Sequence, residues 1–322
     1  MQWDADLLDG YVSTEIALPD APRMPGEPED VEVVATLVRR DEPRRSRRAV
    51  LYVHGWNDYF FQTHLADFWA ELGFDFYALD LRRYGRSLRR GHLPGFTTDL
   101  GAYDEELDAA ADLIAADHDR LVLMGHSTGG LVTSLWAAQR PGRVDAVVLN
   151  SPWLDLQGSA LVRAVGAPVI EALGARSPTA VLRAADPGHY ARALHVSLEG
   201  EWDYDLDLKH SPGPPIRVGW LRAVLQGQRK VAGGLGIEVP VLVLASTRTS
   251  FARRWSEDLR VVDTVLDVEQ ISARAVRLGR CVVVVRVEEG MHDLVLSAPA
   301  VRERVFAEMA RFTRGYVPPA EP

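Results

Sequence analysis

The apolar run Leu121-Val122-Leu123-Met124 passes directly into Gly125-His126-Ser127-Thr128-Gly129, and the chain continues as Gly130-Leu131-Val132. A pentapeptide of the form G-x-S-x-G carries little weight alone, because glycine and serine are common. Between a strand and a helix it demands a sharp turn that lifts one hydroxyl above the end of a sheet. The flanking glycines then remove side chains that would clash in the turn and leave room for a ligand. At the start of a helix the Ser127 hydroxyl also meets the positive end of the aligned peptide dipoles, which favours a developing anion.

A serine hydroxyl is a poor nucleophile without a base that an acid holds in orientation. Nine histidines are available. His292 lies in Glu289-Gly290-Met291-His292-Asp293, just beyond the last expected strand, where a loop at the sheet's C-terminal edge brings an imidazole within reach of Ser127. His126, inside the turn, and His54, at the end of an early strand, read as structural.

The flanking pattern agrees with such a sheet. Short strands are expected over 11–18, 31–39, 49–53, 74–79, 121–124, 146–149, 239–244 and 282–287. Helical spacing of apolar residues recurs over 65–72, 103–116, 130–139, 268–278 and 300–311, with Gly73 suited to a C-cap and Asp267 to an N-cap. Strand and helix in alternation imply βαβ units, hence a largely parallel sheet with helices on both faces. Between residues 155 and 236 the alternation lapses into helical and irregular chain around Ser211-Pro212-Gly213-Pro214-Pro215. The expectation is one α/β core domain over residues 1–154 and 237–322, interrupted by a helical cap over 155–236. Residues 19–30, rich in proline, glycine and acids, read as a loop.

The 322 residues, 47% of them hydrophobic and 25% charged, supply ample material for that core. Acidic residues outnumber basic ones by 45 to 36, a formal charge of -9, and the resulting field repels phosphate. Neither nucleic acid nor an anionic membrane surface is an expected partner. The densest basic cluster, Arg44-Arg45-Ser46-Arg47-Arg48, is expected as a solvated loop. No apolar run reaches the roughly 18 to 20 residues of a membrane-spanning helix, so integral membrane association is not expected. The opening MQWDADLLDG has early acids and no basic stretch leading into an apolar one, so a cytoplasmic location is expected. The single cysteine, Cys281, permits no intrachain disulfide and no multi-thiolate metal site. Within Cys281-Val282-Val283-Val284-Val285 it is expected to be buried on a core strand.

Together these features resemble the α/β-hydrolase superfamily over nearly the whole chain, and within it the serine-nucleophile branch of monoacylglycerol lipases, lysophospholipases and proline iminopeptidase-like enzymes. His54-Gly55-Trp56, Asp80-Leu81-Arg82-Arg83-Tyr84-Gly85-Arg86-Ser87 and Gly290-Met291-His292-Asp293 carry the likeness beside the serine pentapeptide. The resemblance implies an α/β-hydrolase fold with a mostly parallel, eight-stranded sheet and an inserted cap. It also implies a triad ordered nucleophile, acid, histidine along the chain, which Ser127, Asp263 and His292 fit. The backbone N–H groups of Trp56 and Thr128 are the implied oxyanion hole. Two departures stand out. Arg83 occupies a position where relatives usually carry glycine. The acid is displaced by an unusual stretch, residues 246–260; Asp263, followed by Val265 and Leu266, fits the family pattern, with Asp267 and Asp258 as alternatives.

The implied chemistry is acyl transfer to Ser127 from a small-molecule ester, followed by hydrolysis. Aspartate-nucleophile relatives of this fold, the haloalkane dehalogenases and epoxide hydrolases, are excluded by the serine. No dinucleotide fingerprint follows the first strands and no H-E-x-x-H motif occurs, so neither NAD nor zinc is implied. Tyr59, Phe60, Trp153, Trp202 and Trp220 are candidates for an aromatic-lined substrate cleft. An acyltransferase with the same triad, or a ligand-binding protein without turnover, remain as alternatives.

Overall fold

The computed structural model describes residues 2–156, 160–182 and 187–319. Among these residues nine strands form one sheet: β1 (Asp4–Ala5), β2 (Tyr11–Ala17), β3 (Val34–Arg40), β4 (Arg48–Val53), β5 (Asp75–Asp80), β6 (Arg120–His126), β7 (Ala146–Asn150), β8 (Val241–Ser246) and β9 (Val282–Val287). Their order across the sheet is β1-β2-β3-β5-β4-β6-β7-β8-β9. The six from β5 to β9 pair in parallel, whereas β1, β2 and β3 join antiparallel at one edge. The sheet is therefore mixed and has one strand more than the eight expected, the addition being the two-residue β1.

Successive residues of the central strands point to opposite faces, and each face is covered. Ala49, Leu51 and Val53 enter one apolar cluster, with side chains from helices α2 (Asp104–Ala115), α3 (Ser127–Gln139), α6 (Val218–Gly233) and α7 (Val268–Ala275). Val50 and Tyr52 enter the other, with side chains from α1 (Thr63–Glu71) and α8 (Pro299–Tyr316). The helix ends follow local chemistry. Gly73 takes φ +79° just past α1, and its N–H bonds the Ala70 carbonyl at 2.9 Å. Asp267 caps α7 by accepting from the Glu269 N–H at 3.1 Å.

Between β7 and β8 lie α4 (Ala160–Arg176), α5 (His189–Leu194) and α6. Helix α6 falls within the expected cap, yet its Trp220, Val224 and Val231 share the apolar cluster of the sheet. It packs against α3 as well as α4. Among the described residues no helix is long and apolar enough to cross a membrane.

One local expectation changes. Cys281 is half-buried rather than buried, because it leads into β9, the edge strand of the sheet, whose outer residues include the exposed Val284. The basic cluster lies, as expected, in an exposed loop up to Arg47, where Arg44 pairs with Asp117, Arg45 with Glu42 and Arg47 with Asp119.

Arg83 sits at φ +65°, a left-handed conformation that costs a side-chain-bearing residue about 1–2 kcal/mol. This explains why glycine suits the position. The arginine is fully buried and forks onto Glu27, with Nε–Oε1 and Nη2–Oε2 both 2.7 Å, and donates to the Pro22 carbonyl at 2.9 Å. It thereby ties the 19–30 loop to the end of β5. Burial raises the Glu27 carboxyl pKa, but the Arg83 hydrogen bonds and charge outweigh that effect and hold it below its usual value. Glu27→Gln leaves a buried guanidinium without its counter-charge and should cost about 3 kcal/mol. Urea unfolding checks this; a loss under about 0.5 kcal/mol would mean that water reaches Arg83.

Candidate active site

Strand β6 ends where Ser127 adopts φ +51°, a strained turn that a tightly packed surrounding must hold. The two glycines are required by contact. A Cβ on Gly129 would collide with the His54 carbonyl, and one on Gly125 with the Thr133 hydroxyl and the Gly129 carbonyl. The Ser127 carbonyl accepts from the Trp153 N–H at 2.9 Å, which anchors the chain leaving β7 beside the turn.

His292 arrives from the loop after β9. Its Nε2 lies 3.0 Å from Ser127 Oγ and its Nδ1 2.9 Å from Asp263 Oδ2. With Nδ1–H donated to the carboxylate, the Nε2 lone pair faces the hydroxyl, which donates to it. Asp263 uses its other oxygen to accept from the N–H groups of Val265 and Leu266 at 2.8 and 2.7 Å. The long 246–262 stretch is a loop that returns: Asp263 N–H bonds the Arg248 carbonyl, and Ser250 N–H bonds the Asp263 carbonyl, at 3.0 and 2.9 Å. That pairing sets Asp263 next to the chain leaving β8. Of the alternatives, Asp267 caps α7 and Asp258 is exposed.

The loop carrying His292 is itself pinned. Asp293 Oδ1 accepts from Asn150 Nδ2 at 2.6 Å, and Asn150 Oδ1 accepts from the Leu294 N–H at 3.2 Å. Asn150 ends β7, so a side chain on the sheet brackets the loop. His126 is buried and donates Nδ1–H to the Asn150 carbonyl at 3.1 Å. Burial lowers its pKa by stripping the imidazolium of water, although nearby Asp293 opposes the shift. The ring stays neutral, 4.9 Å from that of His292.

His54 aligns the neighbouring turn. Its Nε2 accepts from the Leu81 N–H at 3.1 Å, so Nδ1 carries the proton and donates to the Gly55 carbonyl at 2.7 Å. That carbonyl belongs to the same trans peptide as the Trp56 N–H, and the two point in opposite directions. The turn itself abuts the serine: a Cβ on Gly55 would lie 3.0 Å from Ser127 Cβ.

The aromatic candidates separate. Trp56, Trp220 and Trp153 form one group, with ring centroids 3.9 Å apart for the first pair and 5.7 Å for the second. Phe60 packs among Tyr11, Tyr52 and Phe76 in the core. Trp202 stacks on His64 and donates to the Leu296 carbonyl at 2.8 Å, and the Tyr59 hydroxyl accepts from the Asp205 N–H at 2.8 Å. These three are engaged in packing. Tyr190, which the sequence pattern did not single out, packs at a steep angle against His292 with ring centroids 5.4 Å apart, and its buried hydroxyl has no hydrogen-bond partner among the described residues. Ser127, Asp263 and His292 are only 6%, 0% and 2% exposed, so the group is covered.

Among the described residues, one carboxylate and imidazole cluster has metal-like spacing: Asp58, His126 and Asp293, with ligand atoms within 4.8 Å of one another. Its donors are committed elsewhere. Lys209 Nζ lies 2.7 Å from Asp58 Oδ1, and Asp293 is held by Asn150, Gln62 and the Val295 N–H. The ammonium already supplies the positive charge.

A family model described as serine aminopeptidase, S33, matches residues 44–254. The chain belongs to this S33 family. The match includes Ser127 and His54-Gly55-Trp56 but stops before Asp263 and His292, whose placement rests on the geometry above. The chain is 26% identical over 259 residues to a monoacylglycerol lipase of Mycolicibacterium smegmatis, covering 79% of this chain and 83% of that protein. It is 27% identical over 206 residues to the 1-acylglycerol-3-phosphate O-acyltransferase ABHD5 of Rattus norvegicus, about half of each chain (54% and 55%). The crystal structure of Paleococcus ferrophilus monoacylglycerol lipase superposes with a TM-score of 0.65 at 19% identity, covering 89% of this chain and 100% of that one. The fold of the S33 member described here is therefore the α/β-hydrolase fold.

Proposed function

We propose that this protein is a serine hydrolase of carboxylic esters, acting on acylglycerols, lysophospholipids or similar small acyl esters. The observation that carries this reading is His292 bridging the Ser127 hydroxyl and the Asp263 carboxylate at 3.0 and 2.9 Å. In this proposal His292 takes the Ser127 proton as Oγ attacks the ester carbonyl. The tetrahedral oxyanion is met by the N–H groups of Trp56 and Thr128, each such donor contributing on the order of 3 kcal/mol. His292 then protonates the departing alcohol, and water repeats the sequence on the acyl-enzyme. Trp56, Trp153 and Trp220 are the proposed apolar wall for the acyl chain, with the described residues of the insertion before α6 as its cover. The similarity to a monoacylglycerol lipase supports the ester class.

A p-nitrophenyl ester series from acetyl to lauroyl tests the reading, with continuous release of nitrophenol expected at all lengths tried. A burst equal to the enzyme concentration without turnover would instead fit a binding protein. The similarity to an acyltransferase favours a second reading, transfer to an alcohol other than water. The partition of product from a monoacylglycerol between free fatty acid and a newly acylated alcohol decides between them. Hydrolysis predicts free acid in excess even when glycerol 3-phosphate or 1-acylglycerol 3-phosphate is added as acceptor.

A further inference from the structure

Three consecutive residues after the Trp56 turn all grip the same piece of the cap. Asn57, at φ +52°, donates Nδ2–H to the His210 carbonyl at 2.8 Å and accepts from the His210 N–H at 3.0 Å. Asp58 takes the Lys209 ammonium at 2.7 Å, with side chains only 2% and 8% exposed. Tyr59 accepts from the Asp205 N–H at 2.8 Å. The partners are about 150 residues apart in sequence, so nothing but the fold joins them. The chain has 34 arginines and only two lysines, and one of those lysines is placed here. Its Nζ lies 5.7 Å from the rings of Tyr190 and Tyr204 and 5.8 Å from that of Phe61. A compact ammonium on a flexible stem suits this ring-walled site, where a planar guanidinium is broader.

The same turn is held from its other side by His54, which grips the Gly55 carbonyl. The Trp56 peptide is thus fixed upstream by the core and downstream by the cap. We propose that residues 204–210 act with Asn57 and Asp58 as a clamp that sets the direction of the Trp56 N–H, making this part of the cap a positioning element for catalysis. The inference rests on Trp56 being an oxyanion donor. Asn57, Asp58 and Lys209 are positioning residues under it, since none touches the reacting atoms. An oxyanion donor must be aimed to within a fraction of an ångström, and the buried ion pair and the doubled hydrogen bond together suit that demand. Lys209 also stands as the cation beside two buried carboxylates, Asp58 and Asp293, and so offsets one of the two negative charges in the cluster next to His292.

The test uses p-nitrophenyl acetate, whose short acyl group makes little demand on the cap for binding. Asn57→Asp keeps a residue that tolerates positive φ while turning the donor toward His210 into a second acceptor. Lys209→Met keeps the stem and removes the charge. Each should lower kcat about 10- to 100-fold with KM within about threefold. The inhibition constant for a trifluoromethyl ketone, which forms the tetrahedral oxyanion, should rise by the same factor. If Lys209→Met fails to fold, Asn57→Asp alone decides. Unchanged kcat in the folded variants, or a loss carried by KM alone, overturns the clamp. Failure of the underlying reading looks different: hydrolysis would then survive Ser127→Ala in the otherwise native chain.

Discussion

Ser127→Ala should lower kcat on any ester substrate by on the order of 10⁶, the loss seen when a triad serine is removed from a hydrolase. The reason is local. Among the described residues Ser127 Oγ is the only group that His292 Nε2 contacts at hydrogen-bond distance, and alanine offers no atom to acylate. Stability should change little, since alanine fills the space of serine and inherits the same φ of +51°. Ser127→Gly should unfold at higher temperature than Ser127→Ala, because glycine accepts that conformation without strain. Covalent labelling by a fluorophosphonate, read by intact mass, checks the assignment independently of turnover. Wild-type protein should gain one adduct and Ser127→Ala none. An adduct on the alanine variant would move the nucleophile elsewhere.

Asp263→Asn should lower kcat by about 10⁴ while leaving the protein folded. The carboxylate accepts the His292 Nδ1 proton at 2.9 Å. An amide in its place can offer an N–H to Nδ1, which puts the imidazole proton on Nε2 and leaves no lone pair for the Ser127 hydroxyl. Stability depends on Asp263 Oδ1, which accepts from Val265 and Leu266, and the asparagine carbonyl retains that role. Asp267→Asn should lose little in turnover, because its oxygens cap α7, and asparagine is an equally good cap. Asp258→Asn, on an exposed turn, should be neutral. The three variants assayed side by side identify the acid, and a crippled Asp267→Asn beside an active Asp263→Asn would reassign it.

The strand positions were legible because strands buried on both faces must be continuous apolar runs, as in Val50-Leu51-Tyr52-Val53 and Val241-Leu242-Val243-Leu244. The two-residue β1 was not, since Asp4 and Ala5 are exposed and carry no periodic signal. The place of α6 was ambiguous for a different reason. An apolar stripe states that a helix packs, without stating against what, and Trp220, Val224 and Val231 turn out to face the core cluster. Aromatic residues pose the same difficulty. Phe60 and Trp153 look alike in sequence, but one lies in the core beneath Tyr52 and the other beside the Ser127 carbonyl. Asn150 left a faint mark, a polar residue closing the apolar run of β7, whereas Tyr190 left none.

What the sequence alone determined is whatever chemistry and local conformation can encode. A glycine-flanked serine between strand and helix, a histidine beyond the last strand and the alternation of elements are each read from a few adjacent residues. The tertiary structure decided the pairings across distance. It brought Asp263 into reach of His292 through a returning loop, set Glu27 against an arginine held at positive φ, and joined Asn57 and Asp58 to His210 and Lys209. Such pairings depend on strand register and on how a long insertion settles onto the sheet. No local pattern carries that information, because a charged or polar side chain has the same sequence neighbours whether its partner is water or a residue 150 positions away.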